Sequence, residues 1–263
     1  MPRVVALYRY PVKGFTPETC DSLTVLDQGR IVGDRVLGFR FANSGVIGDD
    51  WSNKHQFIAL VNTPGIARLQ LRFDHGTRRL CISREGVVLV SELLDEQGRN
   101  NIVAVIENYV LKLDENPVSS HPGRLPLRLV GDGVTPRYQD NEAGQITLHS
   151  RASLAAVGVA VGDNGLNELR FRSNIAIDGL DAWEEQGWVG RKIRIGRVNF
   201  DVVAPKSRCL ATHANPDSGE RDLPILQTLT RTFSQKKPTF AVAMVTCGAG
   251  GMIHVGDEVA LLD

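Results

Sequence analysis

Short apolar runs separated by turn-forming residues fill the first third of the chain. Residues 4–10, 22–26, 36–41, 57–61, 67–73, 79–83 and 87–90 are each rich in branched or aromatic side chains, with Gly, Pro, Asn and Asp between them. That grammar predicts β-strands. His75-Gly76-Thr77 and Glu85-Gly86 predict tight hairpin turns. The period then changes. Ile102, Val105, Ile106, Tyr109 and Val110 fall at i, i+3, i+4, i+7 and i+8, one face of a helix. Pro117, Pro122 and Pro126, with Gly123 between, predict an irregular link after it. Residues 127–130 and 145–148 read as strands, and Ser150 as the cap of a helix filled by Ala, Leu and Val. Residues 170–177 read as a strand closed by Asp178-Gly179, and Asp181 as the cap of a brief helix carrying Trp183, Glu184 and Glu185. Residues 192–203 predict a buried hairpin that stops at Pro205. A helix through Leu223, Ile225, Leu226 and Leu229 follows, then strands at 241–247 and 258–262 joined through 248–251. There is no internal repeat. Many strands at short spacing with a few helices predict a mainly β, α+β fold: a closed or nearly closed barrel decorated by helices.

Composition narrows the class. The 263 residues are 42% hydrophobic, enough for a sizeable core in one large domain or two modest ones. Thirty basic residues balance thirty acidic ones, so nothing in the net charge points to nucleic acid. Local cationic sites for a small anion remain open, because net charge says nothing about distribution. Cysteines at 20, 81, 209 and 247 form no CxxC pair and no zinc-like spacing, and they are too sparse for an iron–sulfur cluster. Reduced thiols, no membrane helix and a strand-like N-terminus lead to the expectation of a cytoplasmic protein.

Candidate chemistry centres on Cys209, in Lys206-Ser207-Arg208-Cys209-Leu210-Ala211-Thr212. A free cysteine alone is more often a small hydrophobe than a catalyst. Here Lys206 and Arg208 favour a thiolate, the soft ligand that transition metals with sulfur-rich shells prefer. Further basic and polar residues sit at expected strand ends: Lys13-Gly14 after the first strand, Arg35 in Gly33-Asp34-Arg35, and Arg172 with Asn174 on one face of the expected strand Phe171-Arg172-Ser173-Asn174. Arg and Asn together suit an oxyanion such as phosphate, and solvated surface charge is the alternative. His213 reads either as a proton shuttle near Cys209 or as a solvent-facing loop residue. Asn215-Pro216-Asp217-Ser218-Gly219 is a turn by its chemistry. Ser150 lacks a GxSxG elbow and 248–251 lacks the Lys-Ser/Thr of a phosphate loop.

Tyr10-Pro11-Val12-Lys13, Gly33-Asp34-Arg35, Phe171-Arg172-Ser173-Asn174 and Ser207-Arg208-Cys209-Leu210-Ala211-Thr212, followed by Asn215-Pro216-Asp217-Ser218-Gly219, together resemble the MOSC family, named for the C-terminal domain of molybdenum cofactor sulfurases. The order is similar to the branch with an N-terminal MOSC β-barrel domain, which includes the mitochondrial amidoxime-reducing component. The resemblance implies an N-terminal β-barrel-like domain over 1–115 and a MOSC domain over 116–263. It also implies a molybdenum cofactor (Mo-molybdopterin) with Cys209 as catalytic residue and metal ligand. Lys13, Gly14, Arg35, Arg172, Asn174 and Ser207 take the positions that bind the pterin and its phosphate, and Asp140 matches an acidic residue near it. Gly14 stands where amidoxime reducers commonly have serine, and Ser173 where the family strand has proline.

The implied activity is reduction of small N-hydroxylated compounds (amidoximes, hydroxylamines, N-hydroxylated bases). Electrons would come from an external flavin or iron–sulfur/haem reductase, with neither nucleic acid nor membrane as partner. The alternative is a carrier that holds a sulfur atom on Cys209 as a persulfide, or stores the cofactor.

Overall fold

The computed structural model describes residues 1–262. In chain order the strands are β1 (Arg3–Arg9), β2 (Glu18–Cys20), β3 (Ser22–Val25), β4 (Gly38–Arg40), β5 (Leu69–Asp74), β6 (Arg79–Arg84) and β7 (Val87–Leu93), followed by helix α1 (Glu96–Val110). The second half holds β8 (Arg128–Val130), β9 (Ile146–Ser150), α2 (Arg151–Val161), β10 (Ile175–Asp178), β11 (Lys192–Ile195), β12 (Val198–Ser207), α3 (Ile225–Arg231), β13 (Thr239–Thr246), β14 (Gly251–His254) and β15 (Val259–Leu262). The mainly β fold with interleaved helices expected from the pattern is the fold observed.

The largest sheet has eight strands in the order β15-β11-β12-β13-β9-β10-β1-β2. Alternation on β11 is strict, with Ile193 and Ile195 buried and Lys192 and Arg194 exposed, so one face packs inward. The start of β1 returns to the start of β15. Arg3 bridges to Glu258, Val4 N–H donates to the Asp257 carbonyl at 2.9 Å, and Val259 N–H donates to the Pro2 carbonyl at 2.9 Å. These bonds close seven strands into a ring at one point only, and β2 continues along the far end of β1. Leu7, Leu148, Ile175, Ile193, Phe200 and Met244 belong to the apolar cluster of this sheet.

A second cluster lies under the three-stranded sheet β5-β6-β7 and α1, with Phe39, Leu71, Ile82, Ile102 and Ile106 at its centre. Asp95 caps α1 by accepting from Gly98 N–H at 2.8 Å. Gly98 is required there, since a Cβ would stand 2.1 Å from the Leu93 carbonyl oxygen. The expected division at 115/116 runs through shared packing. β1 sits inside the large sheet, and Leu23, Val25 and Ile31 pack with residues 146–259.

Three local expectations are corrected. Residues 57–61 make one isolated bridge, Phe57 to Arg40, and no strand: the Asn62 amide accepts from Ala59 N–H at 3.0 Å and donates to the Phe57 carbonyl at 2.9 Å, taking backbone groups that a longer ladder would use. Glu168–Phe171 is a 3-10 turn, and Arg172 follows it in the left-handed region at φ 53°, so the strand begins only at Ile175. β12 runs through Pro205 to Ser207, because Pro205 falls beside a register shift against β13. Strands β2 and β14 have no counterpart in the sequence reading.

Candidate functional site

Three separated stretches converge beside the end of β12. Residues 10–13 run parallel to 35–37: Arg35 N–H donates to the Tyr10 carbonyl at 2.6 Å, Leu37 N–H to the Pro11 carbonyl at 3.0 Å, and Lys13 N–H to the Leu37 carbonyl at 2.8 Å. Tyr138 N–H donates to the Arg35 carbonyl at 3.0 Å and brings in the loop carrying Asp140. Buried Asp34 ties these together. It accepts from Tyr10 N–H at 2.8 Å and pairs with the Arg35 guanidinium. Tyr10 is a fully buried platform, with the Arg172 guanidinium 4.3 Å and the Arg35 guanidinium 4.9 Å from its ring centroid.

Cys209 stands where β12 gives way to the 3-10 turn Leu210–His213, as the residue before that turn, and it is half-buried. Arg208 is fixed by donating to the Phe171 carbonyl at 2.6 Å and the Phe240 carbonyl at 2.9 Å. This holds the thiol's neighbour against the Arg172 turn. Lys13, Gly14, Arg35, Arg172, Ser207 and Cys209 all line one open cleft.

Seven cationic side chains line this cleft against one carboxylate, Asp140. Lys13 pairs with Asp140 at 2.7 Å, Arg170 with Asp222 at 2.8 Å, and Arg35 with Asp34. Among the described residues, Lys54, Arg172, Lys206 and Arg208 have no carboxylate within ion-pair distance. Burial lowers Arg172 and Arg208 to about 10, both still charged at neutral pH. Burial, then the charge on Arg208, lowers Lys206 to about 8. Burial also lowers Lys13, and Asp140 only partly restores it. Burial raises Asp140, but the charge and hydrogen bond of Lys13, with Arg35 and Lys54, hold it well below the usual carboxylate range. A site that keeps this much uncompensated positive charge is built for an anion.

Asn174 is the expected residue that the cleft does not expose. It is buried, with its amide donating to the Tyr8 carbonyl at 3.2 Å and its oxygen 3.4 Å from the Thr147 hydroxyl. The left-handed turn at Arg172 removes the alternation that would have put both side chains on one face. His213 is also absent from the cleft: its Nε2 accepts from Leu226 N–H at 3.1 Å at the start of α3. The 215–219 turn packs against Gly65, with Gly219 at φ 73°. Sequence reasoning missed Lys54, the Tyr10 platform and Asp34 as its anchor. Tyr10 and Asp34 had a signal, as members of the Tyr-Pro-Val-Lys and Gly-Asp-Arg runs, and Lys54 had none.

Among the described residues, no three His, Cys, Asp or Glu side chains are gathered as a metal site. A metal at Cys209 would therefore take its other donors from an organic chelate. One terminal nitrogen of Arg208 is buried without a partner, and four cations lack carboxylates. This set suits a phosphate-bearing chelate that brings its own donor atoms.

Residues 135–260 match the family model described as MOSC domain. Human mitochondrial amidoxime-reducing component 1 is 35% identical over 133 residues, 46% of this chain and 38% of that protein. Human molybdenum cofactor sulfurase is 37% identical over 68 residues, 26% of this chain and 7% of that protein. The chain thus spans well under half the length of these curated relatives. Among solved structures, the YuaD protein from Bacillus subtilis aligns with a TM-score of 0.44 at 11% identity, covering 98% of this chain and 94% of that one.

Proposed function

We propose that this chain, whose residues 135–260 match the MOSC domain model, binds a pterin-based molybdenum cofactor and reduces small N-hydroxylated compounds. Amidoximes, hydroxylamines and N-hydroxylated bases are the substrate class, and an external flavin or iron–sulfur/haem protein supplies electrons. The observation that carries this reading is Cys209 at the head of a cleft with four cations that lack carboxylate partners. The stretch shared with the amidoxime-reducing component supports it. The four cysteines are free, which favours a reducing, cytoplasmic setting.

In this reading Lys13, Arg35 and Arg172 would hold the pterin phosphate, with Ser207 adding a hydroxyl and Cys209 the metal-bound sulfur. Gly14 at φ 86° lets the chain pass close to Ala59, whose Cα would stand 2.7 Å from any Cβ there. Asn174 acts as a positioning residue, locking the Tyr8 carbonyl to Thr147 beneath Tyr10. When bound, the cofactor supplies two-electron oxygen-atom chemistry. Reduction of N–OH to N–H with release of water also takes up two protons.

Expression in a cofactor-competent host followed by elemental analysis tests this. The parent should carry about one molybdenum per chain, and Cys209→Ala should fall to background with an unchanged circular dichroism spectrum. A folded parent without molybdenum ends the proposal. The similarity to molybdenum cofactor sulfurases favours a second reading, in which Cys209 carries a persulfide. A stable extra sulfur on Cys209 by mass spectrometry, in protein without molybdenum, selects it.

A further inference from the structure

The cleft's cations fall into two sets. Lys13, Arg35 and Arg172 surround Tyr10, and the proposed cofactor phosphate needs them. Lys54 and Lys206 form a second set that the cofactor reading leaves unassigned. Lys54 stands on the 3-10 turn Lys54–Gln56, and no bond of its ammonium to a carboxylate is found among the described residues. Lys206 Nζ donates only to the neutral Gln145 side chain, at 3.2 Å. Both lysines line the same cleft, and the Lys54 charge is among the causes that lower Lys206. Asp140, the one carboxylate at hand, is held by Lys13.

Lys206 is placed there by the fold. Between Pro205 and Ser207 the register of β12 on β13 shifts, and Ala241 on the partner strand adopts φ 70°. Such bulges re-aim a side chain. Here the irregularity falls on a lysine that lines the cleft three residues before Cys209. Ala59, Leu60, Val61 and Ala211 line the same cleft and give it apolar surface. Apolar surface with two free ammonium groups recognises an apolar body that carries an acid group.

We propose that Lys54 and Lys206 form a substrate-side anion subsite, so that the preferred N-hydroxylated substrates bear a carboxylate or phosphate. The proposal rests on the reductase reading for its substrate and on the cleft alone for its anion. Two experiments separate them. The first titrates the full chain, purified from a host that makes no molybdenum cofactor, with inorganic phosphate by calorimetry. Two classes of site are expected. The Lys54→Met/Lys206→Met double variant should lose one and keep the other, which Arg172→Asn should remove. Lys206→Arg should retain both, showing that charge rather than folding is read. Identical titrations for parent and double variant overturn the subsite.

The second experiment compares benzamidoxime with its 4-carboxylate in molybdenum-loaded protein. For the carboxylate, KM should rise at least about tenfold in the double variant, with kcat unchanged and the neutral compound's KM within about twofold. Equal KM changes for both compounds overturn the substrate assignment. If loaded parent reduces neither compound, the reductase reading fails and the substrate assignment with it. Loss of one phosphate site in the double variant would still establish the anion subsite.

Discussion

Arg35 and Arg172 sit at φ 52° and 53°, in the left-handed region. A side chain there costs about 1–2 kcal/mol relative to the right-handed conformation. Arg172 carries a second cost, since it is half-buried without a carboxylate and its neighbour Arg35 repels it. Its returns are one hydrogen bond to the Phe15 carbonyl and the stack on Tyr10. Strain and charge kept together at a cleft point to use rather than stability. Arg172→Asn tests this, because asparagine tolerates the left-handed region. Urea denaturation should give a stability equal to the parent's or up to about 1 kcal/mol higher, while phosphate affinity falls at least about tenfold. A loss of more than about 2 kcal/mol would instead make Arg172 a structural prop.

At the scale of elements, α3 depends on a residue outside it. Pro224 precedes the helix and offers no side-chain cap, so His213 Nε2 takes the Leu226 N–H instead. That nitrogen accepts only when unprotonated. Burial lowers the His213 pKa, Arg221 and Arg170 lower it further, and Asp222 opposes them. The folded pKa therefore lies below the unfolded value near 6.5. As pH falls, the unfolded chain takes up this proton first. The stabilisation is complete above about pH 6.5 and is lost as pH drops through the folded pKa. In His213→Gln the amide oxygen still accepts but does not titrate. Its stability should fall less steeply than the parent's between about pH 7 and 5, and parallel slopes would refute the role.

His213 also marks the limit of reading elements from sequence. Local rules found the Ser150 cap, which accepts from Ala152 N–H at 3.2 Å, and most strands of the ring. They failed at residues 57–61 and 170–174, where apolar runs meet competing partners: the Asn62 amide in one, the 3-10 turn ending at Arg172 in the other. Cys209 was legible because its basic neighbours lie beside it in sequence. Lys54 was not, since it reaches the cleft only through the fold. The pairing of 10–13 with 35–37 is likewise non-local, and so the Gly33-Asp34-Arg35 run was legible while the anchoring role of Asp34 was not.

For the whole molecule, the question is whether the MOSC-matched part is a folding unit by itself. Packing argues against it. Without residues 1–115 the ring loses β1, which leaves β10 with an open edge and removes the backbone bonds that reach β15. Val4, Leu7, Leu23, Val25 and Ile31 leave the cluster built on the ring, and Leu127, Leu129 and Ala214 lose the first-half residues they pack against. Arg221 adds a polar tie across the same division, pairing with Glu115 at 2.5 Å and donating to the Val61 carbonyl at 3.0 Å and the Leu210 carbonyl at 2.7 Å. One side chain thereby fixes the cleft wall to the turn after Cys209. The full chain should unfold in a single urea transition that is the same by tryptophan fluorescence and circular dichroism, and the 116–263 fragment should show no cooperative transition. A soluble fragment with a cooperative transition of its own would mean that the N-terminal strands clad a domain that is already complete. In that case the cleft, which draws Lys13 and Arg35 from the first half, would be a joint between two units rather than a product of one.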